Sequence, residues 1–178
     1  MGLIEDLSEG VLDRMLATPA HRGALIAARV LHAALTVGVQ AIIILGLGLA
    51  LGASLPGGLI ALPVILLLAA LLGAGFSAIS NGLALLTQRE ETLVAVINFF
   101  GMPLTFLSTA FMAVELMPGW IRFIAQGNPV NWAVDAAQGA MLGQAWPSVW
   151  GYIALLTVFV LVTGFFATQA FRIYRRTA

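Results

Sequence analysis

A stretch of 59 residues, from Val30 to Gln88, contains no Asp, Glu, Lys or Arg. A transmembrane helix needs about 20 apolar residues to cross a hydrocarbon core roughly 30 Å thick. The stretch is therefore long enough for two helices and the turn between them. We expect that turn at 53–58, where Pro56, Gly57 and Gly58 favour a reversal of the chain. The sequence thus predicts a protein that is embedded in a lipid bilayer.

The composition supports this interpretation and excludes several classes of protein. The chain is 61% hydrophobic and only 9% charged, whereas ordinary soluble domains have about 25% charged residues. Its net charge of zero gives no electrostatic reason to expect a nucleic-acid partner. The chain contains no Cys and no Lys, so thiolate catalysis, the P-loop lysine and Schiff-base chemistry are all excluded. We expect an integral membrane protein that is not an enzyme and that holds no cofactor and no metal.

Four charge-poor blocks are each long enough to span a membrane, and we expect them to form one all-α domain over residues 1–178. The predicted spans are 30–51, 59–86, 93–114 and 150–171. Seven of the eight Arg residues lie before the first block, between the second and third, or after the fourth, and only Arg122 lies on the opposite side. Short cytoplasmic loops are enriched in Arg and Lys. Both termini are therefore predicted to be cytoplasmic.

The connection at 115–148 is too apolar for a solvated loop, yet it is interrupted at Pro118, Gly127, Pro129 and Pro147. The pieces between these residues are about 10 to 18 residues long, which is too short to span and suits interfacial or re-entrant helices. Pro118 and Pro129 fit the first position of a helix, and Asn128 fits the cap before the second one. We therefore predict a hairpin of two short helices on the outer side.

The N-terminal segment at 7–19 has the pattern of a short amphipathic helix. Ser8 suits an N-cap, and Pro19 ends the pattern. Its apolar stripe consists of Leu7, Val11, Leu12, Met15 and Leu16, with charged residues on the other face. We expect this helix to lie on the cytoplasmic side.

Polar residues other than Ser and Thr are few within the four blocks, and they include His32, Gln40, Asn81 and Asn98. Hydrogen bonding between packed helices explains them, and so does the lining of a transport path. A self-contained channel or secondary transporter would need more polar or ionisable ligands in its spans. A non-transporting membrane scaffold or truncated assembly subunit would need no such ligands, and it is an alternative interpretation.

The order of several short motifs resembles the permease subunits of ABC-2 type exporters, most closely the branch of the daunorubicin exporters. The motifs are Glu9-Gly10, Leu16 to Pro19, Arg29, Asn128-Pro129 and Asp135. The resemblance implies that the segment at 7–19 is a coupling helix that docks on a separate ABC ATPase subunit through Glu9, Gly10, Leu12, Leu16, Thr18 and Pro19. It also implies an outer gate formed by Asn128, Pro129, Asp135 and Gln138.

The resemblance further implies an exporter of drugs or other amphiphilic molecules, working as a homodimer or permease heterodimer among the lipids of the bacterial cytoplasmic (inner) membrane. Two departures from the family pattern accompany it. Gln138 stands where family members usually have a basic residue. Family members also have two further spans before the coupling helix, so we expect a natural short form, a fragment or half of a split permease.

Overall fold

The computed structural model describes residues 22–87 and 90–177. The predicted coupling helix at 7–19 lies outside these residues, as do Gln88 and Arg89. Six α-helices and one short 3-10 turn follow one another along the described chain. The helices are α1 (Arg22–Ala50), α2 (Ala61–Thr87), α3 (Glu90–Phe106), α4 (Gly119–Gln126), α5 (Pro129–Leu142) and α6 (Trp146–Thr177), and the 3-10 turn is Val114–Leu116.

Three helices contain segments long and apolar enough to cross a membrane: Ala27–Ala50, Ala61–Thr87 and Trp146–Ala170. No strand is found in the part of the chain that the structure describes. The prediction of an all-α, multi-pass membrane protein is therefore confirmed.

The third predicted span differs from its prediction at its far end. The block 93–114 was expected to be one helix, but α3 ends at Phe106 after 17 residues, a length of about 25 Å at 1.5 Å per residue. The chain then leaves the helical conformation until the 3-10 turn at Val114–Leu116. The count of four spans thus stays a prediction.

Helix α2 lies at the centre of the bundle and packs against α1, α5 and α6. At its first half it forms a buried cluster with α5 and α6, made of Ala61, Val64, Leu68, Ala133, Ala136, Ala140, Val149 and Leu156. At its second half a separate cluster joins it to α3 and α6, made of Ala78, Ala84, Leu85, Leu93, Ala167 and Ala170. Most of these side chains are small, which lets the helix backbones approach closely.

Large apolar side chains cover the outside of the bundle. Leu35, Ile43 and Leu47 of α1 and Leu161 and Phe165 of α6 are all more than half exposed. An apolar surface of this extent is what a protein presents to lipid, and it would be costly in water.

The loop between α1 and α2 docks on the end of α5 by direct backbone contact. The N–H of Gly57 donates to the carbonyl of Met141 over 2.8 Å. A Cβ atom on Gly57 would lie 1.9 Å from the carbonyl oxygen of Ala140, so only glycine fits there. Gly143 ends α5 in the left-handed conformation, at φ 67°, and faces the same loop. The α1–α2 loop and the hairpin at 115–148 consequently lie at one end of the bundle.

Candidate functional site at the hairpin

The hairpin contains the two short helices that its Pro and Gly breaks predict. Asn128 caps α5, because its side-chain oxygen accepts a hydrogen bond from the N–H of Val130 over 2.9 Å. Pro129 stands in the first turn of the same helix, where its missing N–H costs nothing. These two predictions are confirmed. Pro118 lies at the N-cap of α4, one residue before the predicted position.

Asn128 also contacts α3, which the sequence did not indicate. Its side-chain NH₂ group donates to the carbonyl of Leu104 over 2.6 Å, and the residue is only 1% exposed. The last carbonyls of a helix have no partner within the helix. A single asparagine therefore satisfies groups at the end of α3 and at the start of α5.

A second set of hydrogen bonds joins the chain just after α3 to α5. The backbone N–H of Thr109 donates to the side-chain oxygen of Asn131 over 2.8 Å, and the Thr109 hydroxyl donates to one carboxylate oxygen of Asp135. The side-chain NH₂ of Asn131 donates to the other Asp135 oxygen over 2.9 Å. Both oxygens of the carboxylate thus accept a hydrogen bond, which is what a partly buried charge requires. We call Thr109, Asn128, Asn131 and Asp135 the polar clasp.

A cavity of about 340 Å³ opens beside the clasp. It is lined by residues 109–115 together with Asp135 and Gln138. Two of the predicted gate residues therefore share one cavity, while Asn128 is buried beside Leu104 and Pro129 is half-buried. The carboxylates of Asp135 and Glu115 make this cavity acidic, and no Arg lines it. The cavity offers hydrogen-bond acceptors and negative charge rather than a nucleophile with an adjacent base.

A second, apolar cleft of about 520 Å³ lies between α2 and α3. Phe76, Ser80 and Leu83 line it on α2, and Ile97, Phe100 and Leu104 line it on α3. A volume of this size falls within the range of small-molecule sites. It separates the second half of α2 from the second half of α3.

The polar residues predicted as packing or path residues fall into two groups. Asn81 donates within its own helix, to the carbonyl of Ser77 over 2.8 Å. His32, Gln40 and Asn98 are exposed on the surface of α1 and α3. No group of three or more His, Cys, Asp or Glu residues that could hold a metal occurs among the described residues. The six predicted coupling residues, from Glu9 to Pro19, lie outside the described chain.

The sequence profile described as ABC-2 type transporter matches residues 1–142. The chain belongs to this family. At 29% identity over 96% of the chain it is similar to a daunorubicin resistance ABC transporter permease protein of Streptomyces coeruleorubidus, of which it covers 59%. At 28% identity over 79% of the chain it is similar to a doxorubicin resistance ABC transporter permease protein of Mycobacterium tuberculosis, of which the match covers 51%.

A transport permease of Cyanophora paradoxa is 30% identical over 81% of the chain, and the match covers 50% of that protein. The chain thus spans between half and three fifths of the length of these relatives. No solved structure matches the chain. The family and the apolar helices agree that this is a multi-pass membrane protein.

Proposed function

We propose that this chain is the membrane permease subunit of an ATP-driven ABC exporter of drugs or other amphiphilic molecules. The observation that carries the proposal is the match of residues 1–142 to the ABC-2 type transporter family. Two relatives named as drug-resistance permeases point to the same class of cargo. The apolar surfaces between the helices suit such molecules better than they suit ions.

Energy enters through a separate ATPase subunit that binds the segment at 7–19. An isolated helix of this length is marginal in water, so its apolar stripe needs a partner. Helices that lie on a membrane surface are usually rich in Lys and Arg, whereas this segment has Glu9 and Asp13 against Arg14. An anionic leaflet would repel it, and a groove on a partner protein would not.

The permease works as a homodimer or as a heterodimer with a second permease in the bacterial inner membrane. The distribution of Arg residues favours cytoplasmic termini. The contact between Gly57 and Met141 is consistent with this topology, because it puts the α1–α2 loop and the hairpin on the same side of the membrane.

The transport cycle alternates between two accessible states. Closure of the ATPase subunits on ATP moves the segment at 7–19, and with it α1 and α3. The hairpin then acts as the outer gate, in which Asp135 and Gln138 line the exit cavity while Asn128 and Pro129 fix the start of α5.

The proposal can be tested by co-purification of this chain with the ABC ATPase whose gene lies nearest to its own gene. Burying two leucines is worth about 3 to 6 kcal/mol. The double substitution Leu12→Asp with Leu16→Asp should therefore abolish binding of the ATPase and ATP-dependent uptake of daunorubicin into inverted vesicles. Asp13→Asn, on the polar face, is the matched control and should leave both intact. Unchanged ATPase binding by the double variant would contradict the coupling assignment and favour a scaffold.

A further inference from the structure

Helix α3 is fastened to the rest of the bundle near its two ends and is loosely packed between them. Near its start, Leu93 is 6% exposed and belongs to the cluster that contains Ala84 and Leu85 of α2. Leu93 is the only buried side chain among those described for α3. Beyond its end, the chain is held by the polar clasp. Between these two attachments lies the apolar cleft of about 520 Å³.

The clasp joins α3 to a helix that is itself firmly held. Ala133, Ala136 and Ala140 of α5 are buried against α2 and α6. Pulling α5 out of that cluster would expose apolar surface to water, which is unfavourable. Opening the bonds of Thr109 frees polar groups, which water can satisfy. Separation is therefore easier at the clasp than between α5 and the core.

We propose that the polar clasp is a releasable latch, whose opening lets the outer end of α3 move away from α5 and widens the cleft between α2 and α3. The bonds of Thr109 to Asn131 and Asp135 open first, since they lie in the irregular segment that follows α3. The bond of Asn128 to Leu104 then parts as the end of α3 moves. Regions with few buried apolar contacts open most easily. The link between this motion and transport rests on the proposed function, whereas the latch itself does not.

The rate at which a thiol in the cleft is alkylated measures the opening. Ser80 lines the cleft, and Ser80→Cys is a nearly isosteric change in a chain that has no other Cys. In proteoliposomes we expect N-ethylmaleimide to label this Cys about fivefold to tenfold faster when Thr109→Val removes one hydrogen bond to the carboxylate. Water entering the widened cleft increases the fraction of the thiol that is ionised, and the thiolate is the reactive form.

Two further variants separate the latch from a general loss of structure. Thr109→Ser keeps the hydroxyl and should restore the slow rate. Thr105→Val makes the same change four residues earlier, where the hydroxyl donates only to Gly101 within α3, and should leave the rate unchanged. Equal labelling rates in the Thr109→Val and Thr105→Val backgrounds would overturn the proposal.

The complex with the ATPase distinguishes failure of the latch from failure of the proposed function. Addition of ATP should raise the labelling of Ser80→Cys in the otherwise native sequence. If Thr109→Val accelerates labelling but ATP never does, the latch stands and the permease function loses support. If ATP drives uptake but Thr109→Val leaves the labelling rate unchanged, the permease function stands and the latch is wrong.

Discussion

The side-chain NH₂ of Asn128 donates to the carbonyl of Leu104 over 2.6 Å, while its oxygen accepts from the N–H of Val130 over 2.9 Å. The amide therefore uses its donor on α3 and its acceptor on α5. Only an amide of this length offers both functions at this place. Because the residue is 1% exposed, water does not reach either bond while the helices are packed in this arrangement.

Asn128→Ala should destabilise the protein by about 2 to 4 kcal/mol, since it removes a helix cap worth about 1 kcal/mol and leaves a buried carbonyl without its donor. Thermal unfolding in detergent measures the effect as a lowered Tm. Gln144→Ala changes an exposed side chain of the same hairpin and serves as the control. A Tm equal to that of the control would contradict the double role of Asn128.

The sequence alone predicts those features of the hairpin that depend on residues adjacent to each other in the chain. The Asn128 side chain accepts a hydrogen bond from the N–H two positions later, and the ring of Pro129 fixes its own φ angle. Both roles can therefore be inferred from a single short motif. The long apolar helices are predictable for a similar reason, because their composition alone requires a lipid surrounding.

The end of α3 depends on contacts that no local pattern contains. Leu104 is hydrogen-bonded to Asn128, 24 positions further along the chain, and Thr109 is hydrogen-bonded to Asn131, 22 positions further along. The apolar residues after Phe106 continue the composition of a span, so hydropathy predicted helix up to Val114. Thr109 was missed as a site residue because a single threonine in an apolar segment gives no signal until its partners are known.

Gly57→Ala should detach the α1–α2 loop from α5, because the new Cβ would lie 1.9 Å from the carbonyl oxygen of Ala140. Overpacking of this kind costs about 1 to 3 kcal/mol, which a lowered Tm in detergent would measure. Gly46→Ala is the control, since a Cβ there meets nothing within 4 Å. We expect that variant to be neutral or stabilised by up to about 1 kcal/mol. Equal effects of the two substitutions would argue against the docked loop.

The contact between Gly75 and Phe159 predicts a compensating pair. A Cβ on Gly75 would lie 2.3 Å from the Phe159 ring, so Gly75→Ala alone should cost about 1 to 3 kcal/mol. Phe159→Leu shortens the opposing side chain and should recover part of that loss. A double-mutant cycle by thermal unfolding should give a coupling of about 0.5 to 3 kcal/mol. Strict additivity would mean that α2 and α6 do not meet at this point.

The topology can be tested by labelling single cysteines with an impermeant thiol reagent in intact cells. Cys at Ser54 or Gln126 should react from outside, because both positions belong to the end of the bundle that contains the hairpin. Cys at Gln88 or Thr177 should be shielded, as the Arg distribution predicts. The native chain contains no Cys, so the background is clean. Labelling at Gln88 from outside would contradict the four-span arrangement.

Helix α4 is predicted to lie in the outer membrane interface, since Trp120 and Phe123 are 63% and 78% exposed and Trp is favoured at this depth. In variants that retain one Trp, Trp120 should be quenched more by lipids brominated near the headgroup than by lipids brominated at the chain ends. Trp132, whose ring N–H donates to the carbonyl of Gln126 over 2.6 Å, should show the same order. Ile43→Trp, on the exposed middle of α1, is the control and should show the reverse order. If Trp120 matched that control, α4 would penetrate the membrane core instead of lying at its surface.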